Sequence, residues 1–187
     1  LRIMTVVVGG MGIACSNVMA TDHILPPIDR QELNRLLTAE EKDWLAEHKT
    51  IRIAGPKAFP PFHYFEADGT LRGMASDYIR LISTALGFQA DVQSNLPWPE
   101  VLEKAQARKI DLIACSAKTE ERETFLHFTE PYLSFPLVII TRKNTSFISG
   151  LEDLHGKKTA FIRGAAAHDW VVRDRIEVVP YFVKTPI

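Results

Sequence analysis

The chain has 187 residues, 46% hydrophobic and 24% charged, with a formal net charge of −1. That suits one or two small globular domains and excludes the strongly basic surface with which nucleic-acid binders neutralise phosphates. Lys57, Lys104 and Lys118 stand singly and Lys157-Lys158 as a pair, with no basic stripe interleaved with aromatics.

Residues 1–20 differ in character from the rest of the chain. Arg2 precedes an apolar run over residues 3–14, and Val18-Met19-Ala20 places small or apolar residues before a cut at Thr21, the pattern of a secretory signal peptide. Gly9, Gly10, Gly12, Ser16 and Asn17 interrupt the run, which falls short of the about 20 apolar residues of a membrane span. A retained anchor is the alternative. Removing the leader takes Cys15 with it and leaves Cys115 without a disulfide partner. A lone thiol at the end of an apolar run reads as buried rather than reactive.

Residues 21–49 form a lead-in, polar and proline-bearing at first, then helical over 29–37 and 38–48. Thr38-Ala39-Glu40-Glu41 is a capping box, in which Thr38 serves the amide three residues on and Glu41 reaches back. Residues 51–54 read as a strand. The Phe59-Pro60-Pro61-Phe62 stretch after it cannot be helix interior, so it presents aromatics from a stiff loop at a strand's C-terminal end. In open α/β sheets that edge is where ligands sit. A hairpin over 64–72 turns at Asp68-Gly69, a helix over 76–86 carries Ile79, Ile82 and Leu86 on one face and stops at Gly87, and a strand comes next over 88–92. Pro97-Trp98-Pro99 then opens a helix to about residue 108.

The apolar run 110–114 reads as a buried strand. It gives way to small residues, and Thr119 stands at the N-cap position of a helix with Glu120 and Glu121 in its first turn. Free backbone N–H groups beside Arg122 can hold a carboxylate; the alternative is an arginine on a solvated helix face. Beyond it, 136–140 reads as a strand. Residues 151–154 read as a helical turn stopped by Gly156, 158–162 as a strand, Gly164 as a tight turn, 166–175 as a helix and 176–179 as a strand. The alternation of strand and helix predicts an α/β fold with a parallel-rich sheet.

Three strings in this order, Asp111-Leu112-Ile113, Thr119-Glu120-Glu121-Arg122 and Phe128-Thr129-Glu130-Pro131-Tyr132, resemble the signature of the family 3 periplasmic solute-binding proteins, the amino-acid-binding Venus flytrap domains. The resemblance implies a periplasmic binding protein-like type II fold. Its first lobe is expected at 50–142, with a parallel-rich sheet flanked by helices. Its second lobe, 143–187, is expected to be only partly present and poorly stabilised, and to close on a ligand weakly or not at all. The resemblance implies a ligand site of Phe59 as stacking aromatic, Trp98 covering from the opposite side, Ala117, Thr119 and Arg122 on the central loop, and Gly164 and Ala165 on the second-lobe turn. Leu37-Thr38 through Trp44-Leu45 to His48 resembles the linker that precedes flytrap domains in membrane-bound sensor kinases.

The chain also departs from the family pattern. Ala117 stands where many amino-acid binders have a hydroxyl, Lys118 where an apolar residue is usual, and the second-lobe turn reads Gly164-Ala165-Ala166. Three hydroxyl donors are missing, which favours a ligand other than a simple α-amino acid, or a sensor lobe with relaxed binding. The resemblance thus implies a small anionic or zwitterionic ligand bound outside the cytoplasm, with a membrane-bound kinase module as partner. The alternatives are the free or lipid-anchored receptor of an ABC permease, and a dehydratase-like enzyme on the same fold. No nucleophile elbow, phosphate loop, metal-binding His pair or cysteine pair is present, and the six histidines fall in six separate segments. No catalytic residue, metal ligand or cofactor is assigned.

Overall fold

The computed structural model describes residues 3–7, 30–94 and 96–184. Strand β1 (Ile3–Val7) comes first. Helices α1 (Arg30–Leu36) and α2 (Ala39–Glu47) lead to strand β2 (Thr50–Ala54). The capping box opens α2 as expected: the Thr38 amide donates to Glu41 Oε2 at 2.8 Å and the Glu41 amide to Thr38 Oγ1 at 3.2 Å.

A small antiparallel sheet comes after β2, made of β3 (Ala58–Phe59), β4 (His63–Phe65) and β5 (Leu71–Arg72). Next come α3 (Met74–Leu86), β6 (Gln89–Val92), α4 (Trp98–Gln106), β7 (Leu112–Ser116), the single turn α5 (Glu120–Glu123) and β8 (Leu126–Phe128). Gly87 ends α3 in the left-handed conformation, at φ 74°.

The main sheet has the order β6-β2-β7-β1-β8 with every pairing parallel. Strand alternation sorts its side chains to two faces. Ile51, Ile53, Leu112 and Ala114 meet Ala75 and Ile79 of α3, whereas Ala54 and Ile113 meet Val101 and Ala105 of α4. Every residue of β7 is buried, Cys115 included, which makes this strand the spine of the lobe. Burial pushes the Cys115 thiol up to about 12, so it is inert packing. Arg52 fixes β2 to the start of β7, with Nε donating to Asp111 Oδ2 at 2.8 Å and Nη2 to Oδ1 at 2.6 Å.

In the second lobe a 3-10 turn (Leu151–Leu154) leads to β9 (Lys158–Ile162), α6 (Ala166–Arg173) and β10 (Val179–Val183), with β9 and β10 parallel. Leu154, Phe161, Val171 and Ile176 form its core.

The structure departs from the sequence reading in three places. Residues 3–7, read as part of a leader, supply a strand between β7 and β8, outside the bounds expected for the first lobe. The expected cut before Thr21 and the polar lead-in lie outside the described residues. Residues 136–140 form no strand, because no neighbouring strand among the described residues completes a ladder; Val138 and Ile140 are 73% and 89% exposed. The last strand runs over Val179–Val183 rather than 176–179, because Arg175 turns at φ 60° and Ile176 is drawn into the core.

Candidate functional site

The C-terminal ends of β2, β6 and β7 point toward the turn between β9 and α6, and a cleft of about 730 Å³ opens between them. Each wall comes from a strand-end loop. Residues 56–59 come after β2, Trp98 opens α4 after β6, Ser116 and Ala117 end β7, and Arg163 to Ala166 come after β9.

Arg122 sits at the centre, 4% exposed. Thr119 caps its helix turn, its Oγ1 accepting from the Arg122 amide at 3.3 Å, so the predicted N-cap is present. The guanidinium reaches back under β7: Nη1 donates to Ser116 Oγ at 3.1 Å and to the Ala117 carbonyl at 2.8 Å. Nη2 crosses to the second lobe and donates to the Gly164 carbonyl at 2.6 Å. Burial pulls the Arg122 pKa down, opposed by the charges of Asp169 and Glu121, yet a guanidinium keeps its proton in protein. Trp98 shares this acceptor, its Nε1 donating to the Gly164 carbonyl at 2.9 Å while its ring lies 5.3 Å from Arg122 Cζ. Gly164 holds a positive φ of 74°, which an L side chain rarely adopts.

Of the residues expected at the site, Phe59, Trp98, Ala117, Arg122 and Ala165 border the cleft. Gly164 joins them through its carbonyl, whereas the Thr119 hydroxyl is occupied by its cap. The structure adds residues that sequence reasoning missed: Lys57, Ser116, Phe135, Arg163, Trp170 and Lys184. Trp170 and Lys184 reach the cleft only through the folding of the second lobe, and no local motif marks them. Phe59 is braced by Phe62 and Phe135, with ring centroids 5.0 and 5.7 Å away, and Phe62 is itself buried, in the core role expected for it.

Behind the β2 loop, His63 is fully buried and its Nδ1 lies 2.7 Å from the Pro56 carbonyl, while Nε2 has no partner among the described residues. A Cβ at Gly55 would stand 2.7 Å from that Nε2, so the ring packs where only glycine leaves room. Burial lowers the His63 pKa, which keeps the ring neutral with its proton on Nδ1 for Pro56. His63 therefore holds the loop that forms one wall of the cleft. Among the described residues no group of three or more His, Cys, Asp or Glu side chains could hold a metal ion, and no helix is long and apolar enough to cross a membrane.

The family described as bacterial extracellular solute-binding proteins, family 3, matches residues 51–182. The virulence sensor protein BvgS of Bordetella pertussis is 26% identical over 130 residues, covering 70% of this chain and 10% of the sensor. The L-arginine-binding protein of Pseudomonas aeruginosa is 32% identical over 146 residues, 73% of this chain and 54% of that protein. The chain thus spans about a tenth of the sensor's length and about half of the arginine-binding protein's. Among solved structures, the B. pertussis BvgS periplasmic domain aligns with a TM-score of 0.71 at 22% identity, covering 87% of this chain and 34% of that one. The arginine-bound truncated ArgBP of T. maritima aligns at 0.63 and 27% identity, covering 74% and 66%.

Proposed function

This chain belongs to the bacterial extracellular solute-binding proteins of family 3, and from that membership we propose that its two lobes close on a small carboxylate-bearing ligand as the input of a membrane-bound sensor. The observation that carries the reading is the buried Arg122, a bidentate donor placed where both lobes meet over a cleft of small-molecule size. Closure biased by ligand is the mechanism: contacts made from both lobes at once favour the closed state over the open one.

The sensor role draws support from the BvgS relative, in line with the helical lead-in of α1 and α2. A second reading, the receptor of an amino-acid transporter, is favoured by the higher identity to the L-arginine-binding protein. In both readings the protein works outside the cytoplasm, as the family's description supports, and binds without turnover, as the relatives named for sensing and binding support.

Calorimetric titration with amino acids and carboxylates tests binding, and a saturable isotherm without product formation is the expected result. Ligand-dependent phosphorylation in membranes carrying the whole gene product supports the sensor; loss of ligand uptake on deleting the gene supports the receptor instead.

A further inference from the structure

We propose that Gly55 and His63 form a size-matched positioning pair, through which an imidazole behind the cleft wall sets how tightly the cleft holds its ligand. The proposal rests on the ligand-binding reading above and adds a residue that acts on the ligand through another. Pro56, Lys57, Ala58 and Phe59 border the cleft, whereas Gly55 and His63 are not among the described residues that line it.

His63 is fastened to both ends of this wall. At the near end Nδ1 lies 2.7 Å from the Pro56 carbonyl, and because a carbonyl only accepts, Nδ1 carries the proton and donates. At the far end His63 pairs with Phe59 in the antiparallel ladder of β3 and β4. The Phe62 amide donates to the Phe59 carbonyl at 2.8 Å and the Phe65 amide to the Lys57 carbonyl at 3.3 Å, so the whole wall hangs on β4 and the residue before it. That support is itself anchored to the start of α3, where the Met74 amide donates to the Pro61 carbonyl at 3.1 Å and the Ala75 amide to the Phe62 carbonyl at 2.9 Å.

The seat of the ring is set by Gly55. His63 is fully buried, with Phe65 edge-on at a centroid distance of 5.7 Å. A Cβ at Gly55 would stand 2.7, 2.8 and 2.9 Å from Nε2, Cε1 and Cδ2. Ordinary contact begins at about 3.5 Å, so the ring would have to give by roughly 0.6–0.8 Å. Gly55 does not use a positive φ, so alanine brings no left-handed strain there and acts through the ring. The Pro56 carbonyl moves with its donor or loses it, and a binding site tolerates displacement of only about 0.5 Å.

Calorimetry on the 187-residue protein with L-arginine and with 3-phenylpropanoate, together with hydrogen exchange at the Lys57, Ala58 and Phe59 amides, tests this. Gly55→Ala should weaken whichever probe binds by at least about tenfold and quicken exchange in the wall. In His63→Asn the amide nitrogen can stand where Nδ1 stands, while Cε1 and Nε2 are gone. The double variant Gly55→Ala/His63→Asn places its new methyl in the vacated space, and should bind within about threefold of the parent and slow the exchange again. A Gly55→Ala protein that binds as tightly as the parent, even with a lowered urea midpoint, makes the pair merely structural and overturns the proposal. So does a double variant that binds no better than Gly55→Ala. Should Gly55→Ala fail to fold, a folded double variant that binds supports the pair, and one that fails to fold overturns it. Silence of both probes on the parent overturns the ligand reading and the effect on affinity, while the exchange pattern still decides whether His63 sets the wall.

Discussion

Arg122 and Gly164, 42 residues apart in the chain, are joined by a 2.6 Å hydrogen bond from a guanidinium Nη2 in one lobe to a main-chain carbonyl in the other. On the proposed reading, a ligand carboxylate at the same guanidinium would add to this bond or take its place, which would tie occupancy to the contact between the lobes.

Arg122→Ala is expected to abolish measurable affinity for a carboxylate that the parent protein binds. Losing one partner of a buried charge-assisted pair costs roughly 2–5 kcal/mol of binding. Neither first-lobe core includes Arg122, so circular dichroism should still report a folded lobe. Arg122→Lys keeps the charge but not the planar fork and should recover only part of the loss. Unchanged affinity in the alanine variant would refute the clamp.

Trp98 should report on the cleft by fluorescence. Trp98 and Trp170 border the site, whereas Trp44 stacks on His48 at 4.1 Å on the lead-in helix. Ligand should therefore shift the emission of the parent and of Trp44→Phe alike, and Trp98→Phe should lose much of the change. Trp98→Phe also removes the Nε1 donor to Gly164, a neutral hydrogen bond worth about 1 kcal/mol. A ligand response carried by Trp44 would contradict this placement.

What the sequence revealed is what short-range chemistry decides. The Thr38 capping box, the Gly87 stop and the Thr119 N-cap each depend on neighbours within a few residues, and each stands as read. Residues 136–140 have the β-branched composition of a strand, but a strand exists only with a partner, and composition does not say whether one is there. Arg122 was legible as a candidate from its place after the Thr119 cap, and it borders the cleft, yet its acceptor was not legible. A peptide carbonyl has no residue type, so Gly164 could be marked as a turn residue at the site but not as the acceptor of Arg122. Trp170 and Lys184 enter the cleft through the β9–α6–β10 unit and carry no motif of their own.

Stability should fall as pH drops from neutrality toward 5, with His63 as one cause. Burial depresses its folded-state pKa below the unfolded value of about 6.5. Above that value both states are neutral and the contribution is intact. As pH falls through it, the unfolded chain takes up a proton that the folded ring refuses, and stability drains until the folded pKa is reached. Urea midpoints across pH 5–8 should therefore slope less steeply for His63→Gln than for the parent. Parallel slopes would show that His63 does not set the trend.

A protein beginning at Thr21 lacks β1, which pairs with both β7 and β8. Each ladder hydrogen bond contributes about 1 kcal/mol net, so several lost together should lower the urea midpoint measurably relative to the chain that begins at Leu1. Equal midpoints would mean that residues 3–7 add nothing to the sheet.

The shared acceptor at Gly164 is a main-chain oxygen, and that makes the junction between the lobes asymmetric under mutation. No codon change removes a peptide carbonyl. Variation can tune the junction only from the donor side, at Trp98 and Arg122, or by tilting the carbonyl through the positive φ of Gly164. A lineage that changes its ligand can thus rewrite the cleft wall residue by residue while the point on which the two lobes meet stays fixed.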